Sequence, residues 1–106
     1  AYHSVGALGV IEMTSPTRVG HVNAGLKRLG HGAAARRYFQ LHAGLDVRHS
    51  IAWNAEAIRP LVENDARLAR PIAEGALMRL NAGARCYAFY RRHLWGETDA
   101  APRRLQ

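Results

Sequence analysis

From Ala33 to Val62 the chain places apolar side chains every three or four positions and offers no strong turn signal before Pro60. A run of that length and period closes into one long amphipathic helix, and nothing else in the sequence competes with it for extended structure. Strict apolar/polar alternation is almost absent, and the remaining stretches are rich in Ala, Leu, Arg and Glu, so the fold class is all-α. The breakers then divide the chain into about four helices. The first spans about Tyr2 to Met13 and stops at Thr14-Ser15-Pro16, where Ser15 caps a second helix and Pro16 takes its first position. That second helix ends near Leu29, with Gly30 as a left-handed stop. The third runs from Gly32 or Ala33 to Val62 and is bent or ended by Pro60. The fourth runs from about Asp65 to Leu94, with Pro71 near its start and Gly96 beyond its end. Residues 1–96 thus form one helical domain, and the tail from Glu97 to Gln106 reads as disordered.

Composition removes several function classes. A chain of 106 residues, 48% hydrophobic and 22% charged, has the makeup of one globular domain. Its longest apolar run, Val5 to Ile11, is far short of the roughly 20 residues a spanning helix needs, so a membrane role is not expected. No basic region precedes that run to make a signal peptide. Cys86 stands alone and has no partner for an internal disulfide, which makes a reducing, cytoplasmic setting the simplest assumption. The opening at Ala1 instead of Met reads as the interior of a longer protein. A net charge of +7 raises the question of an anionic partner. The basic residues are scattered in pairs with no aromatic residues interleaved to stack on bases, which argues against nucleic acid.

Within the third helix, His42, Asp46 and His49 stand at i, i+4 and i+7. At about 100° per residue they fall at roughly 0°, 40° and −20°, one arc about 60° wide. Ala35, Tyr38 and Trp53 share that arc, whereas Arg36, Arg37 and Arg48 lie well away from it. The triplet is therefore expected on the inward, apolar face. Two imidazoles and a carboxylate there cost several kcal/mol to desolvate unless they are paired or bind a cation. Two His and one carboxylate suit iron, manganese or zinc and match non-haem Fe(II) chemistry. A hydrogen-bonded brace between helices accounts for the same spacing. Glu12 adds weight to the metal reading, because it sits in the otherwise apolar segment GALGVIEM, whose Gly6 and Gly9 admit a neighbouring backbone closely.

The segments GVIEMTSPTRVGHVNAGLKRLG and YFQLHAGLDVRHSIAWNAEAI together resemble the C-terminal half of the iron-containing redox enzymes with a haem-oxygenase-like helical fold, the haem-oxygenase-like diiron oxidases. The likeness covers about residues 5 to 93. It rests on the H-x-x-x-D-x-x-H pattern and on a glutamate some thirty residues earlier. It implies a helical bundle of haem-oxygenase-like type in which Glu12, His42, Asp46 and His49 are metal ligands. It also implies two irons in the full-length protein, with manganese an alternative, and activation of O₂ to oxidise a small molecule such as a fatty acid or an amino acid. The family's complete site takes a further Glu and His from an earlier helix. His3 and His21 do not match those positions, so this chain holds four of six ligands and is expected to be inactive alone.

The partners implied are a small-molecule substrate, O₂ and the upstream half of the same protein, with a homodimer left open. Tyr38 and Trp53 are the candidate pocket residues, although helical spacing also suits them to a core. Arg36, Arg37 or Arg79 could hold a substrate carboxylate, but a solvated surface suits each of them better. His21 and His31 read as solvent-facing, and His93 as a charge near a helix C-terminus. The competing function is a helical structural or interaction module in which His42, Asp46 and His49 form only a polar brace.

Overall fold

The computed structural model describes residues 1–96, which are helical almost throughout. The tail expected to be disordered lies outside the described residues. Helix α1 spans Tyr2–Arg28 and α2 spans Ala33–Ala52. The second rod continues through wider π-helical turns at Trp53–Ile58 into the short α3, Arg59–Asn64. A 3₁₀ turn, Ala66–Leu68, leads into α4, Ala69–Trp95. The all-α class holds, but there are three long rods instead of about four helices.

The difference lies at Thr14-Ser15-Pro16. Neither hydroxyl caps a helix: Thr14 Oγ1 donates to the Val10 carbonyl one turn back, at 2.7 Å, and Ser15 Oγ donates across to α2. Pro16 therefore sits inside a continuous 27-residue helix. An interior proline costs roughly 3 kcal/mol, because the i−4 carbonyl, here that of Glu12, loses its donor. Flanking contacts offset that cost, since α1 packs against α2 on one side and α4 on the other. Local punctuation predicts a break that tertiary packing overrides.

Other punctuation acts as the sequence suggests. Gly30 follows α1 at φ 87°, and Gly96 ends α4 at φ 64°, both in the left-handed region that favours glycine. Asp65 accepts from the Arg67 amide to start the 3₁₀ turn. The Arg67 guanidinium and amide together hold the Asp65 carboxyl below its ordinary range. Pro60 lies in the first turn of α3, just after the π-helical segment. Its missing N–H and its ring deny the Glu56 carbonyl an ordinary i+4 partner, and the chain widens just before it.

The helices meet through small residues. A β-carbon on Gly6 would run into the Ile72 carbonyl of α4, and one on Gly75 would strike the His3 backbone of α1. The two backbones therefore cross in direct contact, and Val10 and Ile72 form the buried apolar centre beside the crossing. Gly9 receives the indole of Trp53, whose Nε1 donates to the Val5 carbonyl at 3.0 Å. At the start of α4, Arg70 and His3 both donate to Glu74 and hold its carboxyl below the ordinary range.

Candidate metal centre

Glu12 and Ser15 lie one turn apart on α1, and opposite them on α2 lie Asp46 and His49. Asp46 is the buried charged residue among the described residues, its side chain only 8% exposed. One of its oxygens accepts a 2.5 Å hydrogen bond from Ser15 Oγ. The other lies 3.6 Å from His49 Nδ1, and the same nitrogen is 3.5 Å from a Glu12 carboxylate oxygen. Ligand atoms of Glu12, Asp46 and His49 all fall within 4.8 Å of one another.

Those separations are too long for good hydrogen bonds. They suit donors around one cation. Two atoms each about 2.1 Å from a common metal stand about 3 Å apart at right angles and about 4.2 Å apart when opposite. The donor set, two carboxylates and an imidazole, is one that iron accepts. The residues present therefore fit an iron site on chemistry and spacing alike.

The expectation that all three residues of the α2 arc are buried needs correction. Asp46 occupies the middle of the face against α1, while His42 and His49 lie about 40° and 60° to one side of it. Burial follows that rotation. Asp46 is buried, His42 is half-buried, and the His49 side chain is 55% exposed. The Glu12 side chain, 23% exposed, looks out at the same seam.

His42 stands outside the three-residue cluster. Its Nδ1 donates to the Tyr38 carbonyl at 2.8 Å, and its ring stacks on Tyr38 with centroids 4.0 Å apart. A carbonyl can only accept, so Nδ1 is the donor in this bond, and Nε2 is the nitrogen left for a metal. The same backbone bond and stacking recur at His93 with Phe89, away from any cluster, so the arrangement is a local helical device that pre-orients a ring.

A groove of about 340 Å³ opens beside the cluster, lined by Glu12, His49, Ala52, Trp53, Glu56 and Ala57. Trp53 is therefore beside the candidate ligands. Tyr38 is not: it is 61% exposed and touches the site only through His42. Two residues of this region escaped sequence reasoning. Ser15 reads in the sequence as a helix cap, although its position one turn after Glu12 puts both on one helical face. Glu56 lies seven residues after His49 and continues the α2 arc into the π-helical segment.

The family profile of the iron-containing redox enzymes matches residues 1–84. The chain belongs to that family. The match spans α1, α2 and the first half of α4, and so includes every candidate ligand of this iron-containing redox enzyme. No curated protein and no solved structure matches the chain. Among the described residues, no helix is long and apolar enough to cross a membrane.

Proposed function

We propose that the protein is a non-haem iron-dependent oxidase or oxygenase that activates O₂ to oxidise a small organic substrate, such as a fatty acid or an amino acid. Glu12, His42, Asp46 and His49 are this chain's ligands, and a further Glu and His from upstream in the same protein complete a diiron centre. The observation that carries the reading is the convergence of Glu12, Asp46 and His49 across the α1–α2 seam. When bound, the metal supplies a redox-active Lewis acid with positions open to O₂.

The chain's own residues supply position and protonation state. Ser15 fixes one Asp46 oxygen and leaves the other turned to His49. Tyr38, through its carbonyl, accepts from His42 Nδ1 and leaves Nε2 as the ring nitrogen turned to ligation. Glu12 lines the groove with a carboxylate oxygen 3.5 Å from His49 Nδ1, and would hold a metal together with it. Trp53 and Ala52 give that groove an apolar wall, which limits water beside the site, and Glu56 adds a carboxylate to its lining.

One observation favours a second reading. His49 Nδ1 lies almost equally far from both carboxylates, so a protonated His49 could bridge them as a metal-free brace. Anaerobic reconstitution with Fe(II), followed by metal analysis, separates the two. The iron reading expects bound iron in the full-length protein and a loss of affinity of at least about tenfold in His42→Ala and His49→Ala. No bound iron, or equal binding by the variants, establishes the brace instead.

A further inference from the structure

We infer that Arg18 of α1 and Arg79 of α4 form a binding site for a small oxyanion, a phosphate or a carboxylate. Both arginines are half-buried in the seam between the two helices. Both reach over the bare Cα of Gly83: the point where a β-carbon would stand is 3.4 Å from Arg79 Nη1 and 3.7 Å from Arg18 Nη2. The two guanidinium groups, one from each helix, therefore flank the same point on the surface of α4.

Two cations held this close repel one another, and ordinarily a carboxylate lies between them. Several other arginines of the described residues are paired. Arg36 donates to the His31 carbonyl and to Asn23, Arg67 pairs with Asp65, and Arg70 pairs with Glu74. Arg18 and Arg79 make no hydrogen bond and no ion pair among the described residues. Arg18 lies against the Tyr87 ring, its guanidinium carbon 5.4 Å from the centroid. A ring face steadies a guanidinium from one side and leaves its N–H edge free. Two such edges converging on one point match the oxygens of a phosphate or carboxylate, which accept charge-assisted bonds at about 2.8 Å. The site uses none of the candidate metal ligands, so it stands or falls separately from the iron reading.

The test is a titration of the full chain at constant ionic strength and pH 7, replacing chloride by inorganic phosphate in one arm and by acetate in the other. Melting temperature and calorimetric heat are read together with the arginine Nε–H resonances. A saturable rise in melting temperature is expected, with the Arg18 and Arg79 resonances shifting. The stronger arm identifies the anion class. Arg18→Gln and Arg79→Gln should each raise the apparent Kd at least tenfold. Arg79→Lys, which keeps the charge but loses the fork, should bind more weakly than the parent and retain its helical circular dichroism. A response that never saturates, or one that persists unchanged in Arg79→Gln, reports a general salt effect and overturns the site. Silence in both arms overturns it equally.

Discussion

At the scale of single residues, Asp46 is the position on which the candidate site turns. A buried carboxylate needs donors, and here one comes from a neutral hydroxyl, Ser15 Oγ at 2.5 Å. That bond holds the side chain in one orientation and leaves its second oxygen facing His49 and Glu12. Ser15→Ala removes the donor while keeping a good helix former next to Pro16. It should cost about 1–3 kcal/mol of stability, since the carboxylate is left with an unsatisfied oxygen in a buried seam. In the iron-loaded full-length protein it should also weaken metal retention, by 10- to 100-fold if Ser15 orients Asp46 as a ligand. Denaturant melts of the variant and a chelator competition read the two effects separately. A variant as stable as the parent would show that Asp46 finds water instead.

At the scale of the elements, glycines decide how closely the helices approach. Gly6 and Gly75 let α1 and α4 cross backbone to backbone, and Gly9 seats the Trp53 indole. Gly44, on α2, faces open space with nothing within 4 Å. The contrast gives a paired expectation. Gly75→Ala should destabilise by roughly 1–3 kcal/mol, because the new methyl group would meet the His3 backbone, which cannot rotate aside. Gly44→Ala should stabilise by up to about 1 kcal/mol, from helix propensity alone. Thermal melts of the two variants check it. If both changes shift the midpoint the same way, the close crossing is wrong. The π-helical widening before Pro60 belongs to this scale too, since it brings Glu56 and Ala57 to the groove that Glu12 and His49 open.

At the scale of the whole molecule, three rods lie side by side with α1 in the middle, and the layer is open. Its accessible surface is 8263 Å², against about 5900 Å² for a compact protein of this mass. The radius of gyration is 16.7 Å, against about 13 Å for a compact chain of this length. Val10 and Ile72 are the buried large hydrophobics among the described residues, while Met13, Leu29, Ile51, Leu94 and Trp95 are each more than half exposed. So much uncovered apolar surface has a direct consequence in solution. The 106-residue chain on its own should bind a hydrophobic dye such as anilinonaphthalene sulfonate while retaining helical circular dichroism. A dye signal no higher than that of a compact helical protein would mean that these faces cover one another in solution. On our proposal, the upstream half of the protein covers part of this surface when it brings the remaining Glu and His.

What the sequence by itself determined is whatever depends on near neighbours along the chain. Helical period, the left-handed stops at Gly30 and Gly96, and the shared arc of His42, Asp46 and His49 all follow from rotation per residue and backbone freedom. The resemblance to the iron-containing redox enzymes was legible too, because it rides on a local motif and one glutamate. The tertiary structure decided which part of that arc turns inward. Rotation places residues relative to one another, and only the position of α1 makes Asp46 the buried member and leaves His49 at the edge. It also decided that Thr14-Ser15-Pro16 is no boundary. A proline's penalty is local and of the order of 3 kcal/mol, whereas the contacts that outweigh it come from α2 and α4, far away in sequence.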